Sequence, residues 1–167
     1  MRFIVDGMLG SFARWLRLLG FEAEYFRGAS DNFLLERAAV ENKILLTRDT
    51  ELFRRAQGRR LQACYVDGGT EAERLSNVAY KFGLRLYVDD ALSRCPTCGS
   101  ILRRVSVDEV REHLPERTMR HFNEFWICTD CGQVYWRGAH WKNINETLAR
   151  ARDLLKTRKG GENLAST

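Results

Sequence analysis

The chain has 167 residues, 44% of them hydrophobic and 29% charged, which allows one domain with a real core or a domain of about 100 residues with a small appendage. Its opening, MRFIVDGMLG, reaches an acid within six positions and predicts no signal peptide, and no apolar run approaches the ~20 residues of a membrane span. A cytoplasmic protein with no membrane partner is expected. The net charge of +5 is compatible with a polyanionic partner. Residues 1–90 carry 14 Lys and Arg against 13 Asp and Glu, and residues 91–167 carry 13 against 9, so the basic excess lies toward the C-terminus.

In chain order, RFIV reads as a short strand. SFARWLRLLG sets Phe12, Trp15, Leu16 and Leu19 on one helical face and ends on Gly20, a C-terminal cap signal. EAEYF is a strand, and SDNFLLERAAVENK a helix with Phe33, Leu34, Ala38 and Val40 facing inward. ILLT ends abruptly in Thr-Arg-Asp and reads as a buried strand, apolar on both faces as a parallel sheet requires. A helix over TELFRRAQ, a strand over QACYVD and a helix over TEAERLSNVAYKFG complete the series. Strands alternating with helices predict βαβ units and an α/β parallel sheet flanked by helices over residues 1–91. Past Ala91 the pattern changes to CPTCGS, CTDCGQVYW and short strand-like pieces, with VSVDEVREHLPE as a short helix or turn and HWKNINETLARARDLLK as a closing helix. This second unit spans 92–158, and 159–167 reads as a disordered tail.

Ligands of an open parallel sheet bind outside the carboxyl ends of the strands. Asp6, Asp31, Asp49 and Asp67 each follow a predicted strand and so fall at that edge. Structural roles exist for each: Asp31 and Asp49 can cap helices, Asp67 precedes Gly68 and Gly69 and suits a turn, and Asp6 can sit in a turn with Gly7. Asp6 has no helix to cap directly. Carboxylates brought together repel unless a cation joins them, and an all-oxygen site suits Mg²⁺ or Mn²⁺. Such a site can hydrolyse a phosphodiester. Arg14 and Arg48 lie near the edge and can hold phosphate oxygens, and Ser11 opens a helix where backbone amides favour an anion. Asp49 is expected both to cap its helix and to join Asp6 in holding the metal.

FIVDGMLGSFARWLRLLGF, SDNFLLERAA and ILLTRDTEL resemble the Mut-seven C-terminal RNase family, a PIN-like branch of the metal-dependent ribonucleases that carries a zinc ribbon. The resemblance covers roughly Arg2 to Leu155. It implies a PIN-like sheet and a catalytic acidic site matching Asp6, Asp31 and Asp49, with Glu36 the nearest match to a helix glutamate and Asp67 to a later acid. It also implies RNA, single-stranded or structured, as the partner. The alternative is an RNA-binding protein that keeps the fold without cleaving. Other chemistries on a similar sheet are disfavoured, because no glycine-rich P-loop occurs and DGMLG is not a phosphatase Asp-x-Asp-x-Thr.

Cys95-Pro96-Thr97-Cys98-Gly99 and Cys128-Thr129-Asp130-Cys131-Gly132 are two CxxC knuckles, each followed by glycine. Four thiolates of this spacing suit one structural Zn²⁺, and four protein ligands leave no open position for catalysis. Cys64, inside a strand, reads as a buried free thiol. The aromatics of this unit, among them Phe122, Phe125, Trp126, Tyr135, Trp136 and Trp141, serve either as a small core or, for one or two of them, as plates for unpaired bases.

Overall fold

The computed structural model describes residues 1–165, with side chains described through residue 160. Strands β1 (Arg2–Asp6), β2 (Glu22–Phe26), β3 (Ile44–Thr47) and β4 (Ala63–Tyr65) form a parallel sheet in the order β2-β1-β3-β4. The register sets Asp6 beside Phe26 and Thr47 beside Tyr65, so neighbouring strands finish level at one edge. Every residue of β3 is buried, as a strand covered on both faces must be.

Alternate side chains of the strands feed two cores. Phe3, Val5, Ile44, Leu46 and Cys64 join the buried faces of α1 (Gly10–Leu18) and α4 (Glu71–Phe82), whereas Ile4 and Leu45 join those of α2 (Asp31–Glu41) and α3 (Thr50–Gly58). The helices start where their caps dictate. Ser30 caps α2 through the Phe33 amide, Asp49 caps α3, and Thr70 with Glu73 forms a reciprocal box on α4.

The inner face of α2 differs from the sequence expectation. Leu34, Leu35 and Ala38 are buried, while Phe33 is 40% and Val40 85% exposed. Leu35 belongs to the inward stripe in place of Val40, and that turns Phe33 outward. Its ring packs edge-on against Phe26, centroids 5.1 Å apart, with the Arg37 guanidinium over both rings.

Residues after Leu92 form a three-stranded antiparallel sheet of β5 (Leu102–Val105), β6 (Phe125–Cys128) and β7 (Val134–Trp136), with short helices α5 (Val107–Val110) and α6 (Glu116–His121) between the first two strands. Its own core is small, built on Val105, Val110, Phe125 and Val134. Helix α7 (His140–Ala165) then returns to the first unit. Leu148 and Ala151 are buried in the core that α1 and α4 share, and α7 packs along α4. The Arg152 guanidinium donates to the Leu86 carbonyl at 2.6 Å. The segment 159–167, expected as a disordered tail, is helical as far as Ala165, and residues 166 and 167 lie outside the described residues.

Candidate active site and metal centre

Thr47 organises the carboxyl edge of the sheet. Its fully buried hydroxyl donates to Asp6 Oδ2 at 2.7 Å and accepts from the Asp49 amide at 2.9 Å. The ends of β1 and β3 are thereby tied, with the Asp6 carboxylate and the start of the Asp49 residue on one hydroxyl. Asp49 caps α3 with a single oxygen: Oδ1 accepts from the Glu51 amide at 2.7 Å and the Leu52 amide at 3.0 Å. Helix N-termini favour such an anion.

The other predicted residues have varied partners. Asp31 opens α2 and is ion-paired with Arg55 of α3 at 2.8 Å. Glu36 lies on the exposed side of α2. Asp67 takes the turn role, accepting the Gly68 amide at 2.8 Å on Oδ1. Gly68 has φ +129°, and a Cβ there would come within 2.9 Å of the Arg74 amide, so the turn needs glycine. Arg48 reaches the Gly68 carbonyl at 3.4 Å, and Arg14 is exposed on α1. Ser11 donates to Glu71 Oε1 at 2.7 Å.

Two members of this edge were not foreseen from the sequence. Thr47 reads there as an ordinary strand end. Glu71, first residue of α4, accepts from Ser11 and Arg74 on Oε1 while its Oε2 is buried without a hydrogen-bond partner. A buried carboxylate oxygen left bare is costly unless positive charge or a proton joins it.

The four cysteines converge. Cys95, Cys98, Cys128 and Cys131 present sulfurs that all lie within 4.8 Å of one another, and no other group of three or more potential metal ligands is found among the described residues. Cys95 and Cys131 sulfurs are 3.7 Å apart, Cys98 and Cys128 3.4 Å. Tetrahedral Zn–S bonds of ~2.3 Å place sulfurs ~3.8 Å apart, so the cluster fits a zinc ion. The surroundings favour thiolates at the first knuckle. Burial alone would raise Cys98, but the Ser100 amide and hydroxyl with the neighbouring sulfurs outweigh it and bring the thiol down to about 6. Cys64 lies apart from this group, buried with its thiol raised mainly by desolvation.

A buried guanidinium joins the two units. Arg17 of α1 donates through Nε to the Ala23 carbonyl at 2.8 Å and through one terminal nitrogen to the Pro96 and Thr97 carbonyls at 3.1 and 2.9 Å. Burial lowers its pKa, and the Cys98 and Cys95 sulfurs act in the opposite direction. The charge therefore stands where a four-thiolate zinc site would be anionic.

The fold and the cluster define an α/β protein with a parallel sheet, acids along its edge and a four-cysteine ribbon able to bind metal. The family model described as Mut7-C RNAse domain matches residues 1–148 of the 167, and the chain belongs to that family. Membership points to a ribonuclease with RNA as substrate. No curated protein and no solved structure matches the chain.

Proposed function

We propose that the protein is a metal-dependent ribonuclease in which the parallel sheet carries the chemistry and the ribbon helps to hold RNA. The observation that supports this most is the Thr47 hydroxyl, which keeps Asp6 and Asp49 together at the strand ends. These two carboxylates would hold Mg²⁺ or Mn²⁺, hard cations that accept carboxylate oxygens and water. Asp49 uses Oδ1 for its cap and has Oδ2 to offer. The bare Glu71 oxygen suits an edge that gathers positive charge. When bound, such a cation supplies charge neutralisation on the scissile phosphodiester and an activated water. Arg14 and Arg48 grip phosphate oxygens, and Ser11 turns from Glu71 toward substrate. Asp31 is the third acid in this reading, with Arg55 exchanging it for a phosphate. The substrate is single-stranded or structured RNA, and the site of action is the cytoplasm.

Asp49→Asn tests the assignment cleanly, because asparagine caps a helix as well as aspartate does. Mn²⁺-stimulated cleavage should fall by about 10²-fold or more while the melting temperature holds. Full activity in the purified variant would remove Asp49 from the site. One observation favours a second reading, an RNA-binding protein without catalysis: Asp31 is already neutralised by Arg55. That reading requires RNA binding by the unaltered protein with no cleavage in either Mg²⁺ or Mn²⁺.

A further inference from the structure

A cavity of about 320 Å³ opens where α1, the ribbon sheet and α7 meet. Its walls are mostly apolar, and five of the fifteen lining residues are aromatic. Trp126 and Tyr135 are cross-strand neighbours of β6 and β7, Trp15 comes from α1, and Trp141 from the first turn of α7. These rings are not the ribbon's core, which is built on Val105, Phe125 and Val134 with Ile127 packed against it. Along β6 the residues Phe125 and Ile127 serve that core, and Trp126 between them points to the opposite side of the strand.

The cavity also carries charge of a definite kind. The Arg137 guanidinium lies over the Trp126 ring at 5.6 Å and the Trp141 ring at 4.8 Å, anchored by Asp90 at 2.6 Å. The guanidinium covers one face of each indole, so a planar π-partner stacks there by taking its place. Arg14 lines the cavity too, and so does Ser11, the residue that contacts Glu71 at the edge of the sheet. The cavity and the acidic edge are thus neighbours through the first turn and a half of α1.

We infer that this cavity takes one unpaired nucleobase of the RNA strand, stacked on the indoles, with Arg14 and Arg137 meeting the adjoining phosphates. The inference rests on the ribonuclease reading and adds that the strand is unpaired where it enters. Volume supports one nucleoside, since pockets for small ligands start at about 300 Å³. A paired base, stacked within an A-form helix, cannot enter such a cavity, whereas splayed bases commonly stack on aromatic side chains and arginine planes. Arg14 is exposed and matches the negative backbone, and Arg137 meets a phosphate by exchanging it for Asp90.

The test uses zinc-loaded full-length protein carrying Asp49→Asn, without added Mg²⁺ or Mn²⁺, so that turnover is slow against binding. Fluorescence anisotropy compares a short single-stranded RNA, the same strand with abasic riboses, and the corresponding duplex. The abasic strand should bind roughly 5- to 150-fold more weakly, the range for one stacked base. Adding Trp141→Ala should weaken the normal strand by a similar factor and leave the abasic strand unaffected, because base and ring report one contact. Equal affinity for normal and abasic strands, full additivity of the two losses, or a duplex bound as tightly as the single strand would overturn the inference. Should Trp141→Ala fail to retain zinc, Trp136→Ala, whose ring also lines the cavity, takes its place in the same cycle. Cleavage by the protein with Asp49 intact is scored separately. Base-dependent binding without cleavage upholds the cavity and removes the ribonuclease reading, and cleavage with base-independent binding does the reverse.

Discussion

The two halves of the molecule keep their shape by different means. The parallel sheet is buried on both faces, and its larger core draws on α1, α4 and α7 as well as on strands. The ribbon has four buried apolar residues at its centre and a cluster of four sulfurs. Cores so small rarely hold a fold without a metal or cross-link. The sheet unit therefore rests on extensive apolar contact, completed by α7, while the ribbon would need a metal at its four cysteines as well as its docking against α1. Arg17 is where these dependences meet, since one side chain satisfies carbonyls of both halves.

Removing zinc should break the comparison open most widely. Structural zinc binding is worth about 10–16 kcal/mol in small metal-folded modules. Chelation should abolish hydrogen-exchange protection across β5, β6 and β7 while β1 to β4 stay protected, and simultaneous loss in both sheets would show one cooperative unit. Arg17→Met should come next, at about 3 kcal/mol, because it leaves buried carbonyls without a charged donor. It should lower the urea midpoint and also speed zinc release to a chelator. A variant that changes one without the other would show the guanidinium serves a single half.

Smaller effects sharpen the picture within the sheet. Thr47→Val removes the hydroxyl between Asp6 and Asp49, and cleavage should fall about 10- to 100-fold, typical for a group that orients metal ligands. An unchanged rate would mean that the carboxylates position themselves. Lys43, almost wholly buried, meets Glu22, Glu24 and Glu41 at the opposite end of the strands. Desolvation opposes its charge, but the three carboxylates win and raise the ammonium to about 12. Lys43→Met should cost about 1–2 kcal/mol, discounted because the carboxylates are partly exposed. Since the folded value is above the ordinary ~10.4, that contribution is complete below pH 10.4 and fades only as pH rises through 12. Urea midpoints of the pair should therefore differ by the same amount at pH 7 and pH 9.

Much of this architecture is legible in the sequence because it is written in local patterns. The β-α alternation, the Asp49 cap and the paired CxxC knuckles each occupy a few neighbouring residues. Resemblance supplied the family and, with it, the expectation of an acidic site. What escaped needed neighbours distant in the chain. Val40 looked as suitable as Leu35 for the inner face of α2 until the strands beneath chose between them. Arg17 reads as a charge on an amphipathic helix, and only the Pro96 and Thr97 carbonyls, some 80 residues away, explain its burial. Glu71 and Thr47 matter through residues on other strands or helices, which no spacing rule reports. Asp31 is expected at the edge because it follows the strand EAEYF, and its bond to Arg55 depends on how α2 and α3 lie together, which that position does not report.

The return of α7 has a consequence for how the protein is made. Leu75 and Val78 of α4 share a core with Leu148, which follows Leu75 by 73 residues and is separated from it by the entire ribbon. On a ribosome adding about 5–20 residues per second, that apolar surface waits roughly 4–15 s for its cover. During that interval the nascent sheet presents a sticky flank, and the zinc knuckles emerge before the flank can close. Slow metal delivery would lengthen the exposure, so the yield of soluble protein from zinc-starved cells should be limited by aggregation of the N-terminal half, although the four cysteines lie outside it.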